Sequence, residues 1–144
     1  MAAARKYVGT PFADKGRRAG QGLDCVGLVL CTGEDLGLKD KMGVPFTRTM
    51  YDDYSSQPVG NFVHLTCHQH LVAKGLQAMR AGDIVTMAVP SAPCHVGIVG
   101  ADAAGNLTLI HAYEGGAAKC VEHEITVPWR RRIAGCFSFP EVEG

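Results

Sequence analysis

The chain has 144 residues, of which 47% are hydrophobic and 19% are charged. These are the values of a globular protein, and this length is enough to bury a hydrophobic core without help from disulfides or metal. Because 14 basic side chains balance 14 acidic ones, no net charge attracts nucleic acid or an anionic membrane, and we expect neither as a partner. We predict a single domain spanning residues 1–144.

The N-terminal half is predicted to be helical, with long connections. A short helical segment lies within residues 1–10, and a loop rich in Gly, Lys and Arg follows as far as Gly22. From Cys25 the run Val26, Leu28, Val29, Leu30 and Cys31 is apolar on nearly every side, which is typical of a helix buried in the middle of a domain, and Gly37 is predicted to end it. Residues 38–61 are predicted to be a meandering connection that shapes one wall of a cleft. A second amphipathic helix is indicated by the spacing of Leu65, Leu71, Val72 and Leu76.

The C-terminal half reads as strands separated by Pro, Gly, Asn and Asp. The predicted strands are Ile84 to Val89, Cys94 to Gly100, Leu107 to Tyr113, Lys119 to Ile125 and Cys136 to Phe139. Helices followed by strands indicate the α+β class, with a largely antiparallel sheet.

Cys25 stands where a cysteine becomes reactive. A thiol at a helix N-terminus has its pKa lowered by the exposed N–H groups and the helix dipole, and the thiolate is the attacking form. Gly22, Leu23 and Asp24 can form the turn into the helix, with Asp24 as the N-cap, while Gly27 can let a substrate backbone approach. Taken alone, a cysteine in an apolar run is more often a small core residue, and its neighbours must decide between the two roles.

Those neighbours form an ordered set of motifs. The helix motif is Asp24-Cys25-Val26-Gly27-Leu28, and the later strands carry His95-Val96-Gly97-Ile98 and Ile110-His111-Ala112. Further blocks are Tyr7-Val8-Gly9-Thr10-Pro11-Phe12 and Ala81-Gly82-Asp83-Ile84. In this order the blocks resemble the NlpC family of papain-like peptidoglycan endopeptidases, whose usual signature is Asp-Cys-Ser-Gly-Leu followed by His-Val-Gly-Ile. Within the family the chain is most similar to members from phage tails and phage-like particles, because of the strand Leu109-Ile110-His111-Ala112 and the closing Phe137-Ser138-Phe139-Pro140.

The resemblance implies a papain-like fold, with N-terminal helices packed on the sheet and the nucleophile at a helix start. It makes Cys25 the nucleophile, His95 the general base and His111 the residue that orients His95. The chemistry agrees, since a cysteine–histidine pair needs a partner on the second ring nitrogen to fix the tautomer. The reaction would be acyl transfer through a thioester.

The sequence departs from the family pattern at two positions. Val26 stands where the family commonly has Ser, and Phe12 stands where it has Tyr. The second change removes a phenol near the substrate, so that role is vacant or falls to Tyr7, Tyr51 or Tyr54. The candidate substrate-binding residues are Asp24, Val26, Gly27, Phe12, Tyr51 and Tyr54.

The hairpin between the two histidine strands decides whether His95 and His111 can meet. Side chains alternate along each strand, so both rings share a face only if the paired residue numbers sum to an even value. We predict His95 opposite His111 and Gly100 opposite Asn106, with both histidines on the face toward the N-terminus of the Cys25 helix. Val96, Ile98 and Ile110 are predicted on the other face.

Other polar clusters are read as structural. His64, Cys67, His68 and His70 contain zinc-ligand types, but His70 points away from the helical face that the other three share. We therefore predict no metal and no cofactor. Arg130 to Arg132 are read as a solvated sheet edge, and His123 receives no role. The six cysteines are expected to be mostly reduced thiols.

The predicted function is a cysteine endopeptidase that acts on peptidoglycan stem peptides; in the resembling family the bond joins D-glutamate to the diamino acid. No signal peptide is recognised, so we expect synthesis in the cytoplasm and delivery to the cell wall within a phage particle, with tail proteins as partners. A catalytically silent tail-assembly protein of the same fold is the alternative. An acyltransferase of the permuted fold ranks low, because Cys25 precedes His95.

Overall fold

A computed structural model describes residues 1–51, 62–88, 95–113 and 118–140. Its helices are α1 (Ala2–Arg5), α2 (Cys25–Asp35), α3 (Phe62–His70) and α4 (Val127–Arg132). Its strands are β1 (Arg17–Arg18), β2 (Gly22–Leu23), β3 (Val72–Lys74), β4 (Ile84–Met87), β5 (His95–Ala101), β6 (Leu107–Tyr113), β7 (Lys119–Glu124) and β8 (Ile133–Ser138). The predicted succession of helices and then strands is confirmed.

Six of the strands form an antiparallel sheet in the order β3-β8-β4-β5-β6-β7. Strands β4 to β7 form a meander in which each strand pairs with the next along the chain, while β8 returns to pair with β4. Strands β1 and β2 form a separate two-stranded ribbon ahead of α2. The central strand β5 is therefore flanked by β4 and β6, which buries it along its length.

The sheet divides the hydrophobic core into two parts. The larger part packs α2 against one face of the sheet, through Leu28, Val29, Val96, Ile98 and Ile110. The smaller part lies on the opposite face, where Trp129 and Ile133 pack against it. The smaller-core residues are Val85, Met87, Val99, Leu109, Ile125 and Cys136. Helix α2 is buried because it occupies the centre of the larger part, as its apolar run predicts.

Three predictions of local structure need correction. The second helix ends at His70 and the chain turns into β3, so Val72 and Leu76 lie outside it. Leu65, expected inside, is 57% exposed, while Val63 and Cys67 are buried. The segment with Arg130 to Arg132 is the helix α4 rather than a sheet edge, because Thr126 precedes it and Pro128 occupies its first turn, where proline is favoured. Of the predicted 38–61 connection, residues 52–61 lie outside the described residues.

Among the described residues, no helix is both long and apolar enough to cross a membrane.

Candidate active site

Cys25 is the first residue of α2, and Asp24 caps the helix. Asp24 has extended backbone angles, and its Oδ1 accepts a hydrogen bond from the N–H of Gly27 at 2.7 Å. The predicted N-cap is confirmed. The Cys25 side chain is half-buried at the positive end of the helix dipole, where negative charge on sulfur is favoured.

The Asp24 carboxylate is engaged within the protein itself, and its role in substrate binding stays a prediction. Only 3% of the residue is exposed, and its carboxylate also accepts hydrogen bonds from the N–H of Lys15 at 2.8 Å and from Nη1 of Arg17 at 2.9 Å. The carboxylate therefore holds the loop before β1 against the start of α2. Its contribution to the site is to fix the backbone that carries Cys25.

Gly27 is also occupied by its own chain rather than by substrate. A Cβ added at Gly27 would lie 2.3 Å from the carbonyl oxygen of Gly16 and 3.0 Å from Nη1 of Arg17. No real side chain tolerates such a contact, so the residue must be glycine for the loop to pack on the helix. This packing accounts for the glycine without substrate, and the role of Gly27 in substrate binding stays a prediction.

His95 and His111 meet, as the parity of the hairpin predicts. The Nε2 atom of His95 lies 2.8 Å from Nδ1 of His111, at hydrogen-bond distance. The register is even but shifted by two residues: Gly100 pairs with Thr108 rather than Asn106. The loop therefore runs from Asp102 to Asn106, closed by the hydrogen bond from the N–H of Asp102 to the carbonyl of Asn106.

The predicted orientation of the sheet is wrong in one respect. Val96, Ile98 and Ile110 do lie on the face opposite to the two histidines, but it is this apolar face that packs against the body of α2. His111 contacts Trp129, which packs on the smaller core. The helix body needs an apolar surface, and Val96, Ile98 and Ile110 supply one, whereas the other face carries the two imidazoles.

Burial keeps both imidazoles neutral near pH 7. It lowers the pKa of His95 to about 4. For His111, burial together with the neighbouring charges of His95 and His123 lowers the pKa to about 2. A neutral His95 is the form that can accept a proton from a thiol.

The two motif segments that carry Cys25 and His95 border one small apolar cavity of about 50 Å³. Val26 follows Cys25, Val96 follows His95, and both line this cavity together with Cys67. The negative charge of Cys25 also acts on Cys67, whose pKa is raised to about 12, chiefly by burial. The backbone segments that carry Cys25 and His95 therefore lie close to each other.

The remaining substrate-binding candidates lie in different settings. Val26 and Tyr51 line the apolar cavity, whereas Phe12 packs against the larger core. The Tyr51 hydroxyl is 2.5 Å from Nε2 of His70, whose Nδ1 is 2.8 Å from Asp40, so this phenol is engaged in a polar network. Tyr7 is 1% exposed and hydrogen-bonds Asp35, so it cannot reach substrate. Tyr54 lies outside the described residues.

The histidines and cysteine of α3 do not converge on one point, although the rings of His64 and His68 contact each other. His64 contacts Thr86 through Nδ1 at 2.8 Å, and His70 joins the network of Asp40 and Tyr51. Cys67 is buried. In the described ranges, no three His, Cys, Asp or Glu side chains are grouped as metal ligands would be.

Three aromatic residues at the histidine pair were missed from the sequence. His123 lies on β7 with its Nε2 2.8 Å from Nε2 of His111, and the ring of Trp129 contacts both. Tyr113 stacks on His111, with ring centroids 5.5 Å apart. The sequence does contain a signal for His123. The strands β5, β6 and β7 are consecutive members of an antiparallel meander, and under even pairing their odd-numbered residues lie on the same face. His123 has an odd number, as His95 and His111 do.

We expect Cys25 to be the fastest-alkylated of the described cysteines near neutral pH. The other four are buried, and burial raises the pKa of Cys67 and Cys120 to about 12 and that of Cys136 to about 11. Limited iodoacetamide labelling with peptide mapping measures the order, and the same experiment in denaturant should make the rates similar. Equal labelling of Cys25 and the buried thiols in the native protein would contradict the assignment. Cys94 lies outside the described residues and is mapped in the same digest.

The buried imidazoles also predict a loss of stability in mild acid. The unfolded chain protonates His95 near pH 6.5, but the folded chain does so only near pH 4. Unfolding therefore takes up a proton between these values, and the free energy of unfolding falls as the pH drops through that window. From pH 7.5 to pH 5 the loss from His95 alone is about 2 kcal/mol.

Urea unfolding at the two pH values measures this loss. His95→Gln removes the titrating ring and should lose less free energy of unfolding between pH 7.5 and pH 5 than the wild type. His68→Gln, on the exposed side of α3, is the matched control and should behave as the wild type. An equal loss in the wild type and His95→Gln would show that His95 is not buried in its neutral form.

Comparison with known proteins supports the fold. No family model and no curated protein sequence matches the chain. Among solved structures, an NlpC/P60 family protein from Bacillus cereus superposes with a TM-score of 0.62 at 18% identity, over 94% of this chain and 37% of that one. A protein from Staphylococcus aureus described as similar to lipoprotein, NLP/P60 family, gives a TM-score of 0.55 at 17% identity, over 96% and 39%. This chain thus spans under two-fifths of the length of these relatives.

The fold is therefore a papain-like α+β arrangement, with the α2 helix packed on an antiparallel sheet, as predicted. Within that class, its fold is similar to those of the two NlpC/P60 family proteins.

Proposed function

We propose that this chain is a cysteine endopeptidase that hydrolyses stem peptides of bacterial peptidoglycan. The observation that carries the proposal is the buried His95–His111 hydrogen bond of 2.8 Å, in a fold that begins its central helix at Cys25. Each buried imidazole costs stability on desolvation, and buried titratable groups with shifted pKa values cluster at functional sites, which supports a catalytic role.

The reaction follows from the protonation states. Because Nε2 of His95 is engaged with His111, Nδ1 is the nitrogen left to accept the proton of the Cys25 thiol. The sulfur then attacks the amide carbon, and main-chain N–H groups at the start of α2 stabilise the oxyanion. His95 returns the proton to the leaving amine as the C–N bond breaks. Water, deprotonated by His95, hydrolyses the thioester and regenerates the thiol.

The cleaved bond is proposed to be that between D-glutamate and the diamino acid, as the family resemblance implies. The test is incubation with purified muropeptides and mass analysis of the products, with Cys25→Ala as the inactive control. A new pair of stem-peptide fragments that Cys25→Ala fails to produce is the expected result. Intact muropeptides with both proteins would favour the alternative, a catalytically silent tail-assembly protein of the same fold.

We further propose that the chain acts from a phage or phage-like tail, which would carry it to the cell wall. The support is the resemblance of its Leu109-Ile110-His111-Ala112 strand and its Phe137-Ser138-Phe139-Pro140 close to the phage members. Mass spectrometry of purified particles from the source strain tests this. Absence of the chain from particles that contain the other tail proteins would contradict it.

A further inference from the structure

The two histidines of the site belong to a longer chain of imidazoles. His95 Nε2 is 2.8 Å from His111 Nδ1, and His111 Nε2 is 2.8 Å from His123 Nε2. The last ring ends on the main chain, because His123 Nδ1 is 2.8 Å from the carbonyl oxygen of Glu124. The three rings lie on the adjacent strands β5, β6 and β7, so they form one row across the sheet.

The terminal carbonyl determines where every proton in this row resides. A carbonyl oxygen only accepts, so His123 must carry its proton on Nδ1 and, when neutral, accept on Nε2. His111 must then donate from Nε2 and accept on Nδ1. His95 in turn must donate from Nε2, which leaves its Nδ1 unprotonated. For three neutral rings this is the one set of tautomers that satisfies all three hydrogen bonds.

We propose that His123 is a positioning residue that, acting through His111, holds the proton of His95 on Nε2 and leaves Nδ1 as the base. This rests on the proposed function, in which His95 is the base for Cys25. Without an acceptor beyond it, His111 could carry its proton on Nδ1 instead. It would then donate to His95, whose proton would move to Nδ1, where it opposes removal of the thiol proton.

Packing holds the row in place. His111 is fully buried, and Tyr113 stacks on its ring at an interplanar angle of 25°. Trp129 of α4 lies edge-on to His111, with ring centroids 4.9 Å apart, and 5.4 Å from His123. These rings exclude water from His111, so its Nε2–H depends on His123 for an acceptor. A hydrogen bond in such a low-dielectric setting is also stronger than one in water.

Two substitutions of His123 distinguish the effect of losing the hydrogen-bond acceptor from the effect of changing the shape of the ring. His123→Phe keeps an aromatic ring against Trp129 but offers no nitrogen. His123→Gln places an amide oxygen near the former position of Nε2, where it can accept from His111. The control is His68→Phe, which replaces histidine by phenylalanine on the exposed side of α3, outside the row of imidazoles. Circular dichroism and urea unfolding establish that each variant is folded.

The decisive readout is the ¹⁵N spectrum of histidine side chains, which distinguishes Nδ1–H from Nε2–H rings. In the wild type we expect Nε2–H for His95 and His111 and Nδ1–H for His123. His123→Phe should give mixed or reversed tautomers at His95, and His123→Gln should restore the wild-type pattern. On a stem-peptide substrate, His123→Phe should lower kcat about ten- to a hundredfold with KM little changed, the usual effect of removing an outer partner of a functional histidine.

The spectrum tests the proposal independently of hydrolysis. A wild-type protein with the His95 proton on Nδ1 overturns it, even if no variant folds. So does a folded His123→Phe protein that keeps the wild-type tautomers or the wild-type kcat. If the wild type cleaves no muropeptide yet shows the expected tautomers, the proposed peptidase function fails while the role of His123 in setting the tautomers stands.

Discussion

His95→Ala is expected to abolish turnover, whereas His111→Ala should leave a weak activity. His95 transfers the proton in both halves of the reaction, and its loss should lower kcat/KM at least about a thousandfold. His111 acts only on the second nitrogen of His95, so its removal should cost about a hundredfold, through the wrong tautomer and a mobile ring. Hydrolysis of a purified stem peptide, followed by mass analysis, measures both losses.

His111→Asn is the informative companion of these variants. The Oδ1 atom of asparagine lies as many bonds from Cβ as the Nδ1 atom of histidine, so it can accept from Nε2 of His95 over the same distance. This variant should retain more activity than His111→Ala. His68→Ala, on the exposed side of α3, should equal the wild type. Similar small losses from His95→Ala and His111→Ala would mean that the two roles are wrongly assigned.

The pairing of the two histidines was predictable because it depends on strand alternation alone. Side chains alternate whatever the exact register, so an even pairing brings His95 and His111 to one face even though the hairpin is shifted by two residues. The shift itself depends on the loop. Asp102 accepts hydrogen bonds from the N–H groups of Ala104 and Asn106, which draws Asn106 into the turn instead of the strand.

Which side of each helix is buried was harder to predict from the sequence, because burial depends on the elements that pack against it. His70 is buried on α3 because Asp40 and Tyr51, distant in sequence, supply hydrogen bonds to both ring nitrogens. Leu65 is 57% exposed, since no element of the described residues covers that side of the short helix. Neither the burial of His70 nor the exposure of Leu65 can be predicted from the hydrophobic pattern of this nine-residue helix alone.

His123 was missed for a similar reason. An isolated histidine on an edge strand is usually exposed, and nothing in β7 alone distinguishes it. Its role depends on β7 pairing with β6 in the register that puts Leu109 opposite His123, and on Trp129 of α4 covering the row. The sequence does predict the start of α4, because Thr126 is a favourable N-cap residue and Pro128 is a favourable residue in the first turn of a helix.

Asp24→Ala is expected to give a large loss of stability. The carboxylate is buried, caps α2 through Gly27, and pairs with the guanidinium of Arg17, whose side chain is only 9% exposed. Losing the cap costs about 1 kcal/mol. Removing one partner of a buried ion pair costs about 3–5 kcal/mol, because the remaining charge stays desolvated. The free energy of unfolding in urea should therefore fall by about 4–6 kcal/mol.

Asp24→Asn separates the two contributions. Asparagine is an equally good N-cap, so its oxygen can still accept from the N–H of Gly27, but it carries no charge to balance Arg17. We expect Asp24→Asn to keep the helix cap, and its free energy of unfolding should still fall by most of the amount that Asp24→Ala loses. Asp14→Ala, at an exposed position of the same loop, is the matched control and should change stability by less than about 0.5 kcal/mol. If Asp24→Ala also changed stability so little, the loop before β1 would not be held by this carboxylate, and the backbone that presents Cys25 would need another support.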